Sequence, residues 1–254
     1  MRTKIFCFTL LCMAICNVNA LVAQDKITVN LDSEMHPSIV NRVFLTIKSS
    51  GNAWIDLNNN GIKDAGEELE KDISYAEYSP ENNNFTIYGE VYDFDCSMEG
   101  DVKKITVKGH QTLKKLNCGN TGIEMMDLSD CTALEEFSVK EIPFSLLIMD
   151  NCPNLKKVHV FFNTIASLDF SGCPKVEEIL CFYNQLTSIK LGNVQNLKTI
   201  NISGNLLDET ALNRLYEELP KVTSGEIHIG NNPGAENSNV SIAKNKGWTV
   251  VLEE

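Results

Sequence analysis

The chain has 254 residues and carries 22 Lys and Arg against 34 Asp and Glu, so its formal net charge at pH 7 is −12. Hydrophobic residues make up 43% of the composition, which is ample for a buried core in one large domain or two small ones. Such an acid excess argues against non-specific nucleic-acid binding and against attachment to anionic membranes. It mainly implies solubility.

Residues 1–23 have the pattern of a secretory signal peptide. Arg2 and Lys4 precede an apolar run from Ile5 to Ile15, and small residues at Ala20 or Ala23 offer a cleavage site. The run is shorter than the ~20 apolar residues of a spanning helix. The segment therefore predicts export, with a periplasmic, secreted or cell-surface destination and no membrane span.

Residues 24–90 predict a β-rich N-terminal domain that caps the segment after it. Alternating, β-branched or aromatic runs lie between clusters of Asn, Gly, Ser and Pro, which is typical of short strands and turns. These runs are Ile27–Leu31, Val43–Ile47, Ala53–Ile55 and Phe85–Tyr88.

A calcium-type loop lies inside this domain. The stretch from Asp56 to Glu67 matches the spacing D-x-N-x-N-G-x₅-E, in which oxygen atoms at fixed positions surround a Ca²⁺ ion and Gly61 permits a sharp turn. The predicted ligands are Asp56, Asn58, Asn60, Ile62 (through its carbonyl), Asp64 and Glu67. Trp54 and Ile55 before the loop resemble a strand rather than the helix of an EF-hand, so an acidic hairpin loop without metal is the alternative.

Residues 91–207 contain a repeat with a period of 21 residues. An entry coil starts at Val91, and five repeats then open at Leu113, Leu134, Leu155, Val176 and Leu197. Each follows L-x-x-L-x-C/V-x-x-N-x-L, which is the leucine-rich repeat pattern. The L-x-C/V alternation predicts a short strand in a parallel ladder, and the later I-x-x-M-x-L half predicts an extended segment on the opposite, convex wall.

Two residue types in the repeat have predicted structural roles. The asparagines Asn163, Asn184 and Asn205 are expected to turn inward and to bond the backbone where the chain bends, since a buried polar group needs partners. The equivalent positions Thr121 and Ile142 suit this role poorly. The alternating Lys and Glu pairs at the start of each repeat predict stacked opposite charges between neighbouring rungs.

The cysteines of the signal segment and those of the rest of the chain have separate interpretations. Three of the nine lie in the signal segment, where Cys12 and Cys16 raise the alternative of a lipid anchor, although Leu11 and Ile15 before them are larger than that signal prefers. The other six are Cys96, Cys118, Cys131, Cys152, Cys173 and Cys181. Disulfides and a metal site are alternatives, but the repeat positions favour small, buried, free thiols.

Residues 208–254 predict a C-terminal α/β cap. Asp208 is placed to N-cap a helix that ends at Pro220, and Ile227 and Ile229 predict another strand. A second short helix is predicted over about 238–246, and a final strand over 248–252. This segment would cover the last rung of the repeats and so protect its edge from strand addition.

The repeats resemble those of secreted bacterial leucine-rich repeat proteins of the internalin-like kind. The resemblance is carried by the inward cysteine, the Asn-x-Leu turn and the Leu-Asp-Phe-Ser-x-Cys stretch from Leu168 to Cys173, and it covers about residues 91–207. It implies an α/β, mostly β fold: a right-handed solenoid of parallel strands. It also implies binding of other proteins or surface glycans, without catalysis.

The repeat period also predicts which side chains face outward on the concave wall. Two adjacent repeats place consecutive aromatic residues there, and exposed aromatic clusters are common at contact sites. The predicted partner-binding residues are His159, Phe161, Phe162, Leu180, Phe182 and Tyr183. The alternative is that these rings are structural surface filler.

No motif of an enzyme is recognisable in the sequence. The four histidines fall in separate elements, and neither a hydrolase motif nor a glycine-rich phosphate loop is present. We therefore expect a monomeric, non-catalytic binding protein with a protein partner, with structural calcium as the only candidate cofactor. A glycan-binding module and a purely structural envelope component are the alternatives.

Overall fold

The computed structural model describes residues 25–32 and 42–252, so the predicted signal peptide lies outside the described residues. The fold is mostly β: a solenoid of stacked parallel strands whose repeats are about 21 residues apart. No helix in these two ranges is long and apolar enough to cross a membrane.

The N-terminal part of the described chain contains seven strands. They are β1 (Lys26–Leu31), β2 (Val43–Ser49), β3 (Trp54–Asp56), β4 (Ile73–Tyr78), β5 (Asn84–Tyr88), β6 (Val91–Asp95) and β7 (Val102–Thr106). The four predicted runs correspond to β1, β2, β3 and β5. The sequence analysis missed β4, because that strand lies at a sheet edge and shows no clean alternation of buried and exposed residues.

Each of the first four repeats contributes two three-residue strands, one on either wall, and the fifth contributes one. In chain order these are β8 (Lys115–Asn117), β9 (Met125–Asp127), β10 (Glu136–Ser138), β11 (Leu146–Ile148), β12 (Lys157–His159), β13 (Ser167–Asp169), β14 (Glu178–Leu180), β15 (Ser188–Lys190) and β16 (Thr199–Asn201). The two-walled coil predicted from the two apolar halves of the repeat is therefore confirmed.

The C-terminal part consists of α1 (Glu209–Glu218), β17 (Gly225–His228), α2 (Ser241–Lys244) and β18 (Trp248–Val251). The Asp208 side chain accepts a hydrogen bond from the N–H of Ala211 at 2.8 Å, which confirms the predicted N-cap. The second helix is shorter than predicted, since residues before Ser241 form turns and Val240 supplies no side-chain cap.

Ten strands form one long sheet in the order β18-β17-β16-β14-β12-β10-β8-β6-β2-β4. Its members from β6 to β18 are parallel, and β2 joins β6 in antiparallel orientation. A second sheet, β3-β5-β1-β7, is antiparallel, and the opposite wall of the repeats carries the two pairs β9-β11 and β13-β15. Residue 90 is the predicted boundary between the N-terminal domain and the repeats. The strand pairs β2–β6 and β1–β7 are hydrogen-bonded across this boundary.

A ladder of asparagines closes the turns between the two walls. Asn184 donates through Nδ2 to the carbonyls of Val160 (2.6 Å) and Cys181 (3.1 Å), while its Oδ1 accepts the N–H of Ile165 at 3.1 Å. Asn163 and Asn205 make equivalent bonds to the coil before them. The predicted inward asparagines are thus confirmed, and each one satisfies backbone groups that are buried away from water.

The ladder extends further than the sequence analysis placed it. Asn232 donates to the carbonyls of Ile202 (2.8 Å) and Ile229 (2.9 Å) and accepts the N–H of Leu207 at 3.0 Å. The spacing from Ile227 to Asn232 repeats that of the earlier coils, so the signal was present in the sequence. In the first repeat, Thr121 occupies the asparagine position. Its hydroxyl donates to the Cys118 carbonyl at 2.8 Å and so replaces one of the asparagine's hydrogen bonds.

The six cysteines of the described chain are buried free thiols. Cys131 and Cys152 occupy the same position in successive coils, and each thiol donates at 3.1 Å to the carbonyl 24 residues earlier. Burial raises the pKa of the Cys131 thiol to about 12, so this group is neutral at pH 7. These contacts agree with core thiols; the reduced state of the protein itself stays a prediction.

His110 occupies the coil position that Cys131 and Cys152 fill in the next two repeats, and it is buried. Its Nδ1 accepts the N–H of Leu113 at 3.1 Å, whereas its Nε2 has no hydrogen-bond partner in the described residues. Burial lowers the pKa of His110, although Asp25, whose Oδ2 lies 3.6 Å from Nδ1, opposes that shift. Burial therefore favours the neutral form of the imidazole.

The first prediction concerns the asparagine ladder. Replacing Asn184 with Ala removes the partners of several buried backbone groups, each worth about 1–3 kcal/mol when left unsatisfied. We expect the free energy of unfolding, measured by urea titration, to fall by at least about 2 kcal/mol. Exposed Asn193 serves as the control, since Asn193→Ala should change stability by no more than about 0.5 kcal/mol. Equal effects of the two substitutions would contradict the structural role of the ladder.

The second prediction concerns acid. Because the pKa of His110 is lower in the folded state than its ordinary value, its contribution to stability is present above the ordinary pKa and is lost as pH falls towards the folded value. Urea titrations should show a larger loss between pH 7.0 and pH 5.5 in the native protein than in His110→Asn. That variant keeps an acceptor for the Leu113 N–H but does not titrate. A loss of the same size in both proteins would refute the assignment.

Candidate functional site

The sheet of ten strands brings the predicted aromatic residues together on its outer face. Phe161 and Phe162 begin two residues after the end of β12, and Phe182 and Tyr183 begin two residues after the end of β14. These two strands are hydrogen-bonded in parallel register. Residues 21 positions apart therefore lie side by side on adjacent rungs. We refer to these four residues as the aromatic surface.

The four rings form two stacked pairs. The ring centroids of Phe161 and Phe182 are 4.6 Å apart at an interplanar angle of 6°, and those of Phe162 and Tyr183 are 4.9 Å apart at 8°. The two pairs meet edge to face, with Phe162 and Phe182 at 5.5 Å and 82°. The centroid distances match the ~4.8 Å between neighbouring strands, so the stacking follows from the register of the sheet.

Both ends of the stacks have a defined neighbour. The ammonium of Lys140, one rung before Phe161, lies 5.9 Å from the centroid of that ring. Tyr183 lies against Gly204, where a Cβ would come within 2.6 Å of the tyrosine Cδ1. A side chain at position 204 would displace the ring. The repeat period places both neighbours on the same wall, 21 residues from an aromatic position, but the predicted partner-binding residues include neither of them.

Two of the aromatic residues have a left-handed backbone conformation. Phe162 has φ of 56° and Tyr183 has φ of 52°. In the other coils the equivalent turn position holds Asn120, Glu141, Gly204 and Asn231, and all of these except Glu141 are residue types that tolerate positive φ well. For a bulky side chain this conformation costs about 1–2 kcal/mol. The protein thus maintains two aromatic residues at turns where asparagine or glycine would be less strained.

These strained residues are also the most exposed part of the cluster. Phe162 is 45% exposed and Tyr183 is 40% exposed, while Phe161 and Phe182 are partly buried beside them. Leu180, on β14, is partly exposed on the same side of the sheet as Phe182. Five apolar side chains therefore form one continuous surface.

His159 lies at the edge of this surface. Its Nε2 is 2.5 Å from Oε1 of Glu178 on the next strand, so its ring is tied to that carboxylate. On the side away from the rings, His159 borders a shallow polar cleft, which is lined in part by Asp95, Asn117 and Ser138. These three residues occupy the coil position of His159 in earlier rungs, which the sequence analysis did not consider as a site.

The predicted calcium loop is a compact hairpin that begins at the end of β3. Asp56 is fully buried, and its two oxygens accept the N–H groups of Asn60 (3.0 Å) and Gly61 (2.8 Å). Glu67 is 5% exposed and bonds the N–H groups of Leu57 (3.0 Å) and Asp64 (2.8 Å). The two ends of the loop are therefore held by carboxylates.

The middle of the loop is held by amide groups. Asn58 and Asn60 each donate through Nδ2 to Oδ2 of Asp64, at 2.9 and 2.8 Å, and these bonds lower the pKa of Asp64, the Asn58 bond most. Ile62 is exposed, and its N–H donates to Oδ1 of Asn60 at 2.6 Å. All six predicted ligands thus belong to one hydrogen-bonded loop.

The loop's donor set fits a hard cation in its chemistry. Every candidate side-chain ligand is oxygen, and an asparagine amide turned by 180° presents oxygen in place of NH₂. Neither Asp56 nor Glu67 forms an ion pair with a basic residue in the described chain, although buried charges usually have a partner or a metal. No group of three His, Cys, Asp or Glu side chains in the same ranges is arranged for a metal, so the amides would have to complete any such site.

The third prediction separates backbone strain from ring contacts. At Phe162, Gly relieves the left-handed strain and Ala does not, so Phe162→Gly should be more stable than Phe162→Ala by about 1 kcal/mol. At Phe161, whose φ is not positive, the order should reverse by about 0.5–1 kcal/mol. Urea unfolding of the four variants tests this. The same order at both positions would show that the turn at Phe162 is unstrained.

Comparison with known proteins assigns no function to this chain, so its function is inferred from the geometry of the structure. No family model matches the chain, and no curated protein matches it. The aromatic surface and the loop from Asp56 to Glu67 therefore have to be interpreted from their own residues.

Proposed function

We propose that the protein is a secreted, non-catalytic leucine-rich repeat protein that binds a protein partner through the concave face of a right-handed solenoid. The residues for this contact are those of the aromatic surface, with His159 and Leu180 beside them. The repeat pattern and its resemblance to internalin-like proteins support the family and the exported location. The β-rich N-terminal segment and the C-terminal α/β segment then serve as caps on the two ends of the solenoid.

The single observation that carries this proposal is the pairing of strain with exposure at Phe162 and Tyr183. Asparagine or glycine at these turns would relieve about 1–2 kcal/mol at each position. Bulky residues in such conformations are concentrated at functional sites, where another requirement outweighs the strain. Because these rings lie on the surface, the requirement that best accounts for them is contact with a partner outside the chain.

The energetics of interfaces support the same residues. Aromatic side chains are common among the few residues that carry most of the binding energy, and a solenoid presents such residues on an extended face. The net charge of −12 favours a protein partner over nucleic acid or an anionic membrane. We infer a monomer, because the apolar surface is small and bordered by charged side chains such as Glu141 and Glu178.

We also propose that the loop from Asp56 to Glu67 binds a structural calcium ion through Asp56, Asn58, Asn60, Ile62, Asp64 and Glu67. The support is its all-oxygen donor set and its two buried carboxylates without a basic partner. Its role is to hold the hairpin that follows β3. The affinity falls in the weak range of extracellular sites, on the order of 10⁻⁴–10⁻³ M.

The fourth prediction tests calcium by thermal melting. A ligand that binds only the folded state adds about 2.7 kcal/mol at one hundred times its dissociation constant. Calcium at saturating millimolar concentration should therefore raise the melting temperature, and a chelator should reverse the rise. Asp64→Ala should remove the shift at little cost to the apo protein, because Asp64 is exposed. An unchanged melting temperature of the native protein in calcium would mean that the loop is a metal-free hairpin.

The fifth prediction tests the aromatic surface. Phe161→Ser with Phe182→Ser should weaken binding of a partner, isolated by pull-down from an envelope extract, by at least about 2 kcal/mol, or 30-fold. Leu146→Ser, an equally polar change at an exposed residue of the opposite wall, is the matched control and should leave binding intact. Isothermal calorimetry gives both affinities.

Melting of the same variants completes the test. A large loss of stability with binding intact would show that the rings only support the solenoid. A glycan array probed in parallel separates the two binding functions, and failure of both screens would favour a purely structural envelope component.

A further inference from the structure

We propose that the aromatic surface accepts a polypeptide segment that combines an apolar side chain with a carboxylate, rather than a sugar ring. This inference rests on the proposed function, because it specifies the partner of the same surface. It depends on how the rings are oriented and on one lysine beside them.

The faces of the rings are occupied within the protein. Phe161 and Phe182 cover each other at 4.6 Å, and Phe162 and Tyr183 cover each other at 4.9 Å. The second face of Tyr183 lies against the backbone of Gly204, and the second face of Phe161 is approached by the ammonium of Lys140. Six of the eight ring faces therefore have a neighbour within the protein, and the surface presents mainly ring edges to a partner.

Ring edges and ring faces attract different groups. The face of an aromatic ring is the negative end of its quadrupole and the edge is the positive end. The C–H groups of a sugar carry slight positive charge and need an open, negative face for stacking. Edges instead suit aliphatic side chains, the faces of other aromatic rings, methionine sulfur and the oxygens of carbonyl or carboxylate groups. These are the groups of a polypeptide.

Lys140 adds the requirement for negative charge. Among the repeat lysines, Lys115 pairs with Glu136 at 2.9 Å, Lys156 with Glu135 at 2.6 Å and Lys198 with Glu177 at 3.0 Å. No such ion pair involves Lys140 in the described residues. Its stem lies over Gly119, where a Cβ would come within 3.0 Å of the lysine Cγ, and its ammonium is held beside Phe161.

The position of Lys140 fixes the arrangement of the partner. A carboxylate that reaches this ammonium is adjacent to the ring edges of Phe161 and Phe162. An Asp or Glu that lies one or two residues from a Leu, Met or Phe in an extended segment meets both groups at once. The resulting ion pair lies at the border of the contact, so it contributes selectivity more than affinity.

The experiment uses the full chain and a displayed library of random twelve-residue peptides, with a glycan array in parallel. Peptides are selected on the native protein, and each selected peptide is then assayed on the Phe161→Ser, Phe182→Ser variant. Selected sequences should combine an acidic residue with a nearby apolar one. For one such peptide, its Asp→Asn or Glu→Gln analogue should bind about two- to fivefold more weakly, as expected of an exposed ion pair.

Lysine variants then test the charge. Lys140→Gln should abolish the preference of the protein for the acidic peptide over its amide analogue. Lys104→Gln, at an exposed lysine of β7 in the other sheet, should leave that preference unchanged. A preference that survives Lys140→Gln, or selected peptides without acidic residues, overturns the assignment of Lys140.

The other outcomes separate this inference from the function on which it rests. Glycan binding that is lost in the Phe161→Ser, Phe182→Ser variant, with no peptide selected, overturns the polypeptide partner while the aromatic surface remains the binding site. Ligands that bind both proteins equally overturn the aromatic surface itself, and so does the absence of any ligand in either screen.

Discussion

Hydrogen bonding of the buried turns is the constraint on which the rest of this structure depends. Each coil must bend between its two walls, and at the bend its backbone N–H and C=O groups lose contact with water. Asn163, Asn184, Asn205 and Asn232 bond these groups in the preceding coil, so that each rung fixes the position of its neighbour. The strands need only three residues because the turns, rather than long ladders, set the register.

This constraint also creates the candidate site. Ahead of each ladder asparagine the chain passes through a residue with positive φ, namely Phe162, Tyr183, Gly204 and Asn231. The side chain at this position faces outward, because the asparagine after it takes the inward place. Side chains 21 residues apart consequently form columns along the sheet. Stacking of the aromatic rings is therefore a product of the same regular rise that satisfies the backbone.

The outward side chains differ in type from one rung to the next far more than the inward side chains do. The inward positions hold apolar side chains or polar ones that bond the backbone, whereas the outward ones are free to carry carboxylates, lysines or rings without disturbing the core. Opposite charges on adjacent rungs, such as Lys115 and Glu136, contribute little stability at exposed sites. The aromatic pairs Phe161–Phe162 and Phe182–Tyr183 differ from these ion pairs. The second residue of each pair has a strained backbone, and the geometry of the sheet does not require an aromatic side chain there.

The sequence by itself determined the period, the inward residues, the asparagine ladder and the placement of the aromatic residues, because a 21-residue repeat fixes which side chains share a column. It also predicted the N-cap at Asp208. Strand β4 escaped prediction because an edge strand lacks the alternation that burial of one face imposes. Only the tertiary structure decided that the ring faces cover one another, that Gly204 and Lys140 border them, and that Phe162 and Tyr183 are strained. Backbone angles and ring orientations depend on contacts between coils, which no single repeat contains.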